Sequence, residues 1–421
     1  MIETREYGEL SQSIMGEVNA LRLPVNGTIE LTNRCPLECV HCYNNLPMND
    51  RGARRTELTT EEHCRILDEL AEMGCMWLLL SGGEILARPD FLEIYRHGAS
   101  KGLLLTLFTN GTLITERVAD ALAALPPFAI EITLYGRTKA TYEALTGIPG
   151  SFEKCLRGIR LLLERNLPLK LKTVALSVNK HEVWAMKRFA EEEIGVKFSF
   201  DPMISPRIDC SSSPLAVRLT PPEIVALDLE DPRRVADWRR LATEYAPPVP
   251  EPDEVAQVYD CGGGINSFAI DPYGNMTICV LSHVDTYNVR NGTVREGWEK
   301  FLHQVRDRPK TRVTKCNSCA LRSLCGSCAA TAELENGDPE APVDFLCKTA
   351  HLRAEVFGVD VREHGDCEYC VTGSHRREIE HMAEEVRARH RGDIADIIAT
   401  VPLDAPAASC ATGSCGSCSM H

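Results

Sequence analysis

The hydrophobic pattern in the first half of the chain alternates between short strands and amphipathic helices. Residues 28–32 alternate between polar and apolar side chains, which predicts a half-buried strand. Thr59 and Glu62 form a capping box ahead of a helix that Gly74 ends. Residues 77–80 then form an unbroken apolar run, which predicts a buried strand. The apolar positions that share one face of the helix are Ile66, Leu67, Leu70 and Met73.

The same strand–helix alternation continues beyond residue 100 and fixes the expected fold class. About six β/α units follow from the pattern, so we expect a parallel sheet that curls into a partial (β/α)6 TIM-like barrel. Ligands of such sheets bind at the carboxyl ends of the strands. The further predicted strands are 103–108, 129–134, 169–178 and 196–200, and the helices are 114–125, 152–165 and 181–193.

The second half of the chain has a different organisation. Residues 221–243 favour helices, and four prolines between 247 and 252 indicate a linker. Near the C-terminus, Ile379, Met382 and Val386 share one helical face, and a small, polar, cysteine-bearing tail follows. We therefore expect five segments: an N-terminal cap 1–27, a barrel 28–215, a helical bridge and linker 216–256, a small cysteine-rich domain 257–350 and a C-terminal helical extension 351–421.

Composition narrows the partners and the compartment. The chain has 421 residues, of which 44% are hydrophobic, and 46 basic against 60 acidic residues give a net charge of −14. This balance argues against nucleic acid as a partner and favours a neutral or basic substrate. There is no apolar run of membrane-spanning length and no signal peptide, so we expect a cytoplasmic protein without a membrane partner. Nineteen cysteines in that compartment indicate metal or cluster ligation rather than disulfides.

The densest group of candidate ligands follows the first strand as Cys35-x3-Cys39-x2-Cys42. An iron–sulfur cubane normally takes four thiolates, but the next cysteine, Cys64, lies within a predicted helix. One iron would stay open and could chelate an amine and a carboxylate of a small molecule. The alternatives are a zinc knuckle or a redox dithiol, but His41 is too close to Cys42 for ordinary zinc-finger spacing.

The arrangement resembles the radical S-adenosylmethionine (SAM) enzymes. The resemblance implies a [4Fe–4S] cluster on Cys35, Cys39 and Cys42 with SAM on its open iron. His41 takes the place of an aromatic residue that usually lies near the adenine of SAM. Residues expected to contact SAM through this resemblance are Gly82, Gly83 and Glu84 of a Gly-Gly-Glu motif, together with Asn110, Thr133 and His41. Asn110 could instead be only the turn residue of an Asn-Gly pair.

A second cysteine array begins at Cys261. Two zinc ribbons are the alternative explanation, but the order of cysteines resembles the SPASM domain, which carries two auxiliary [4Fe–4S] clusters, and residues 270–275 fit its small hairpin. The resemblance implies a distal cluster on Cys316, Cys319, Cys325 and Cys347 and a proximal one on Cys261, Cys279 and Cys328. The proximal set is one thiolate short. Either Cys210, Cys367 or Cys370 folds back to complete it, or the open iron takes a non-cysteine ligand or a substrate thiolate.

The expected function is therefore radical-based modification of a peptide or protein side chain, with thioether formation as one outcome. The partners implied are a peptide substrate, with or without a separate leader-binding protein, and a reductant such as flavodoxin or ferredoxin. Modification of a small molecule or of a tetrapyrrole in the haem pathway is the alternative within enzymes, and a non-catalytic electron-transfer protein is the alternative outside them. The sequence assigns no role to Cys367, Cys370, Cys410, Cys415 or Cys418.

Overall fold

The structure, a computed structural model, describes residues 15–243 and 256–390. The described residues form two compact units. We call 15–218 with 262–306 the barrel unit, and the described parts of 219–261 with 307–390 the cysteine-rich unit. The first part of the expected cap, the prolines of the linker and the three tail cysteines lie outside the described residues.

The strands of the barrel unit are β1 Asn26–Thr32, β2 Arg34–Cys35, β3 Leu46–Pro47, β4 Trp77–Gly82, β5 Leu104–Thr109, β6 Ala129–Thr133, β7 Leu169–Val174, β8 Lys197–Asp201, β9 Ser267–Ile270, β10 Asn275–Thr277 and β11 Tyr287–Asn288. Nine of them form one sheet with the order β11-β10-β9-β1-β4-β5-β6-β7-β8, and β2 pairs only with β3. The central strands of the large sheet, β1 and β4 to β8, are all parallel to their neighbours. Within the described chain the order does not close on itself, so the expected partial barrel of parallel strands is confirmed.

Helices connect the parallel strands, and their ends follow the capping signals in the sequence. The capping box is present: Glu62 N–H donates to Thr59 Oγ1 at 3.2 Å, and Thr59 N–H donates to Glu62 Oε2 at 2.7 Å. β7 ends at Val174, earlier than expected, because Asn179 Oδ1 accepts from Leu176 N–H at 2.8 Å and turns the chain. The helices are Arg51–Thr56, Thr60–Glu72, Phe91–Ser100, Glu116–Ala124, Lys139–Thr146, Ser151–Leu163 and Val183–Arg188.

The strand β9 joins the barrel sheet in a way that the sequence pattern did not indicate. β9 pairs in parallel with β1, from Asn26 opposite Ser267 to Ile29 opposite Ile270. It then forms the expected hairpin with β10, and Asp271 Oδ1 accepts from two backbone N–H groups of the turn at 2.8 Å. Residues 262–306 therefore fold with the barrel unit.

The cysteine-rich unit is helical. A buried ion pair ties two of its helices together: Arg353 Nε lies 3.0 Å from the carboxylate of Asp228, and Arg234 lies 2.6 Å from the same group. The apolar cluster around this unit's core contains Leu229, Leu352, Tyr369, Ile379 and Met382. Its helices are Pro221–Glu230, Pro232–Thr243, Arg322–Cys325, Ala329–Asn336, Asp344–Phe357 and Arg376–Arg389.

None of the helices in the described part of the chain combines the length and the apolar character that crossing a membrane requires.

Candidate functional site

The loop after β1 brings three cysteines together at the carboxyl edge of the sheet. Cys35 is buried in β2, Cys39 and Cys42 are half-buried, and Cys42 N–H donates to the Cys39 carbonyl at 3.0 Å. Burial, followed by the neighbouring thiols of Cys42 and Cys35, raises the pKa of Cys39 well above its ordinary value. A bound cation would relieve this repulsion by favouring the thiolate forms.

Contacts from distant parts of the barrel unit hold this loop in place. Arg207 Nη1 donates to the Cys42 carbonyl at 3.0 Å and to Asn45 Oδ1 at 2.9 Å. On the other side, Glu38 N–H donates to the Thr146 carbonyl at 2.9 Å. The backbone of the cysteine loop is thus fixed independently of any bound group.

Glu84 and Asn110 meet beside Cys35. Glu84 is almost completely buried, and its carboxylate accepts from Thr109 Oγ1 at 2.7 Å, Asn110 N–H at 2.8 Å and Leu86 N–H at 3.1 Å. Burial raises the pKa of Glu84, although these hydrogen bonds oppose the effect. Asn110 Nδ2 in turn lies 3.5 Å from Cys35 Sγ. The structure therefore brings together residues of three separate sequence motifs, namely the cysteine motif, the Gly-Gly-Glu motif and the Asn-Gly pair.

The two glycines of the Gly-Gly-Glu motif allow two backbone segments to pack closely, whereas the sequence predicted that they contact SAM. A Cβ on Gly82, whose φ is +125°, would lie 2.2 Å from the carbonyl oxygen of Thr32. A Cβ on Gly83 would lie 2.4 Å from the carbonyl oxygen of Asn33. The glycines let β4 pack against the start of the cysteine loop, so the close approach that they allow is first of all between two backbones.

His41 lies beside Tyr135, a contact that the sequence did not indicate. The two ring centroids are 5.3 Å apart in an edge-to-face arrangement, and the Tyr135 hydroxyl contacts the Cys39 thiol. Burial lowers the pKa of His41 to about 4, so the ring is neutral at pH 7. Its Nδ1 has no hydrogen-bond partner within the described chain. A buried, unpartnered nitrogen next to Cys42 suits a polar ligand at this edge.

Thr133 closes β6 and lies directly opposite Lys172 of β7 in the register of the sheet. Lys172 is half-buried, lies 3.6 Å from the Glu131 carboxylate and packs over the Phe108 ring. Burial lowers the pKa of Lys172 to about 8. Sequence reasoning missed this group. The sequence feature that could have indicated it is the alternation of lysine and leucine at the start of β7.

In the cysteine-rich unit, the four cysteines of the expected distal set line one cavity of about 110 Å³. Cys328 lines the same cavity, and its thiol accepts from Thr331 N–H at 3.4 Å. Cys261 is close enough to Cys328 for each thiolate to disfavour the other. The cysteines that line this cavity are Cys316, Cys319, Cys325, Cys328, Cys347 and Cys367, and His351 and His364 line it too. The four thiols of the expected distal set are enough to hold a four-iron cluster.

The remaining cysteines have distinct surroundings. Cys279 belongs to the barrel unit, where it lies near Tyr43. Cys210 is exposed in the same unit, with its thiol 3.6 Å from His283 Nε2. Cys367 and Cys370 are buried in the cysteine-rich unit and face two histidines.

Comparison with known proteins finds relatives over most of the chain. The Radical SAM superfamily profile matches residues 29–190. The AdoMet-dependent heme synthase of Methanosarcina barkeri is 30% identical over 73% of this chain and 92% of its own length. The PqqA peptide cyclase of Rhodopseudomonas palustris is 28% identical over 80% of this chain and 89% of its own.

The fold is also similar to that of Streptococcus suis SuiB, which has been solved bound to SAM and bound to the precursor peptide SuiA. The superposition with the SAM-bound form has a TM-score of 0.60 and covers 82% of each chain at 17% identity. The peptide-bound form gives the same TM-score at 18% identity.

Proposed function

Because the chain belongs to the radical SAM superfamily, we propose that it is an enzyme that modifies a peptide or protein side chain with the help of SAM and a [4Fe–4S] cluster on Cys35, Cys39 and Cys42. The observation that supports this proposal is the meeting of Cys35, Glu84 and Asn110 at one sheet edge. A non-catalytic electron carrier is no longer an alternative, since the relatives are enzymes.

The donor set suits this cofactor pair. Cys35, Cys39 and Cys42 would hold the cluster, which after reduction would supply the one-electron chemistry that cleaves SAM and allows hydrogen to be taken from a substrate carbon. Three cysteines would leave one iron for the amine and carboxylate of SAM. Around Cys35, hydrogen bonds from Asn110 Nδ2 and from Leu37 N–H at 3.4 Å stabilise the thiolate.

Residues of the same edge would orient SAM. We assign the methionyl group to the backbone of Gly82 and Gly83, to the one acceptor position left on Glu84 and to Thr133. His41 and Tyr135 flank Cys39 and provide the surface for the adenine side. These assignments rest on the resemblance of the motifs and on the shared location of the residues.

Lys172 and Glu131 would contact the substrate. They share the sheet face of Thr133 and form a half-buried ion pair to which no SAM contact is assigned. A few polar groups at fixed positions in a binding site set the orientation of a ligand. A peptide offers such groups in its backbone amides.

In the cysteine-rich unit, we assign the distal auxiliary cluster to the four cysteines of the 110 Å³ cavity. By resemblance, Cys261 and Cys328 of this unit would be ligands of the proximal cluster, and an open iron there would bind a substrate thiolate. The reaction would then join that sulfur to the carbon from which hydrogen was taken. The net loss is two hydrogen atoms per cross-link, one to 5′-deoxyadenosine and one as a proton, with the electron returned to the enzyme.

Modification of a tetrapyrrole is the second candidate. It is favoured by the heme synthase relative, which the chain covers almost completely. The net charge of −14 favours the peptide, because tetrapyrrole substrates carry several carboxylates that an acidic enzyme would repel.

The first experiment tests SAM cleavage. Protein with reconstituted clusters is incubated anaerobically with SAM and dithionite, and we expect 5′-deoxyadenosine and methionine in equal amounts. Absence of 5′-deoxyadenosine from protein with a full complement of iron would overturn the proposal.

The second experiment separates the two substrate classes. Cysteine-containing peptides and a carboxylated porphyrinogen are offered in parallel, and product masses are measured. A peptide that loses about two mass units per cross-link supports the proposal, whereas turnover of the porphyrinogen alone supports the second candidate.

We propose flavodoxin or ferredoxin as the cellular reductant, a separate leader-binding protein for substrate capture, and the cytoplasm as the compartment, because thiol ligands persist there.

A further inference from the structure

Four buried side chains of the cysteine-rich unit converge outside both auxiliary ligand sets. They are His351, His364, Cys367 and Cys370, and one ligand-capable atom of each lies within 4.8 Å of all the others. All but Cys370 also line the cavity of the distal set, so the group lies directly beside it. We propose that these four residues bind a single zinc ion in a closed, structural site.

The spacing of the atoms matches a tetrahedral ion. Zinc bonds of about 2.3 Å to sulfur and about 2.0–2.1 Å to nitrogen place neighbouring ligand atoms about 3.3–3.8 Å apart. Cys370 Sγ lies 3.3 Å from His364 Nδ1. His351 Nε2 lies 3.5 Å from Cys367 Sγ and 3.9 Å from Cys370 Sγ. The side chains already have nearly the separations that one central ion requires.

The same distances argue against a two-iron cluster held by these four residues. When two cysteines and two histidines hold a two-iron cluster, the cysteines bind one iron and the histidines the other, so the cluster separates sulfur from nitrogen. Here the contacts of 3.3–3.9 Å join cysteine to histidine, the two histidine rings stack 5.9 Å apart, and the Cys367 and Cys370 thiols also contact each other. Sulfur and nitrogen are therefore intermixed, and His364 also contacts the Cys319 thiol. Two thiolates and two imidazoles around one point are a zinc ligand set.

The chain geometry prepares the ligands. Cys370 N–H donates to the Cys367 carbonyl at 3.4 Å, the same tight turn that Cys316 and Cys319 form. His351 Nδ1 lies 2.8 Å from the Cys347 carbonyl, which fixes the proton on Nδ1 and leaves the lone pair of Nε2 facing the thiols.

The nitrogen of His364 that faces Cys370 also lies 2.9 Å from the Arg362 carbonyl. Zinc would displace the proton shared with that carbonyl, because metal ligands must be deprotonated.

Ordinary core packing is the competing explanation, since Cys367 and Cys370 belong to the apolar cluster with Leu352 and Ile379. Packing alone gives no reason for two histidine rings to turn their nitrogens towards both thiols.

A zinc ion at this site would also stabilise the position of one ligand of the distal set. His351 lies one turn after Cys347 on the helix Asp344–Phe357, so zinc would anchor the helix that presents Cys347 to its cavity.

Zinc binding would also reduce the number of cysteines available to complete the proximal set. Two thiols bound to zinc cannot complete another metal's ligands, so Cys367 and Cys370 would be removed from the candidates for that role.

The test uses the full-length protein, expressed with added zinc and purified anaerobically. We expect about one zinc per chain besides iron. Zinc K-edge absorption should show about two sulfur neighbours at about 2.3 Å and two nitrogen neighbours at about 2.0–2.1 Å. Absence of zinc, or a shell of four sulfurs that places zinc in a cluster site, would overturn the proposal.

Variants provide the second arm. Cys367→Ser and Cys370→Ser should each lower zinc content at least tenfold and leave iron unchanged, while Cys64→Ser, on a barrel helix, should change neither. Loss of about four irons with zinc retained would show that these cysteines hold a cluster and would contradict the proposal. If a variant fails to fold, the absorption spectrum of the wild-type protein decides. Formation of 5′-deoxyadenosine is measured separately, so failure of this proposal is distinguishable from failure of the proposed function.

Discussion

The side-chain amide of Asn110 lies 3.5 Å from the thiol of Cys35, although 75 positions separate the two residues. The backbone N–H of Asn110 also donates to Glu84. One asparagine therefore connects the cysteine loop after β1 with the Gly-Gly-Glu turn after β4, and this connection determines what each motif can do.

Replacing Asn110 with alanine should slow SAM cleavage. The variant removes a donor to a thiolate, and hydrogen bonds to charged groups contribute about 1.5–3 kcal/mol, so we expect roughly a ten- to hundredfold fall in the rate of 5′-deoxyadenosine formation. Thr112→Val is the milder comparison, because it removes only the hydrogen bond of 2.6 Å that orients Asn110 Oδ1. An Asn110→Ala rate equal to that of the wild type would show that the contact with Cys35 has no role.

Replacing Glu84 with glutamine should weaken both SAM binding and the fold. The carboxylate accepts three intramolecular hydrogen bonds. In the glutamine variant the side-chain NH2 group replaces one acceptor oxygen and would face a hydrogen-bond donor of the protein instead. We expect a lower free energy of unfolding by about 1–3 kcal/mol together with a higher dissociation constant for SAM. Calorimetric binding and thermal unfolding measure the two effects. A variant of full stability that binds SAM weakly would mean that Glu84 serves the ligand alone.

Replacing Cys35, Cys39 and Cys42 together with alanine should remove about four irons per chain and abolish SAM cleavage. The iron held by the cysteine-rich unit should remain, because its proposed ligands are separate. Iron analysis after anaerobic reconstitution gives the answer, with Cys75→Ala as a control at a buried cysteine outside the loop. An unchanged iron content would contradict the assignment.

Replacing Asp228 with asparagine should destabilise the cysteine-rich unit by about 3–5 kcal/mol, since it leaves Arg353 buried without a counter-ion. Although burial alone would raise the pKa of Asp228, Arg353 and Arg234 hold it below the usual range. Denaturant unfolding measures the effect. The double variant Asp228→Leu/Arg353→Met should lose less stability than the sum of the losses in the single variants Asp228→Leu and Arg353→Met. A loss in the double variant equal to that sum would show that the pair is not coupled.

Glu182 should give the barrel unit a pH-dependent stability. Burial would raise its pKa, but hydrogen bonds from Thr138, Thr141 and the backbone N–H of Arg137 lower it below the ordinary value of 4.5. A depressed carboxyl pKa stabilises the folded state above the unfolded-state pKa, and the contribution is lost as pH falls through the folded-state pKa.

Wild type should therefore exceed Glu182→Gln in free energy of unfolding by about 1–3 kcal/mol at pH 7, with a difference that shrinks below about pH 4. A difference that stays constant with pH would exclude this linkage.

The sequence by itself determined the local elements and the cluster motif of this protein. The capping box at Thr59, the apolar run at residues 77–80 and the spacing of Cys35, Cys39 and Cys42 are local signals, because propensity, capping and close cysteine spacing act within a few residues.

Only the tertiary structure decided which distant residues share a site. The contact of His41 with Tyr135, the placement of Lys172 opposite Thr133 and the parallel pairing of β9 with β1 depend on how strands are ordered in the sheet. The convergence of His351 with Cys367 likewise requires a helix to pack against a later loop. A histidine inside an apolar helix has the same local pattern whether it is a core residue or a ligand, and the difference is made by the long-range packing that brings thiols to its free nitrogen.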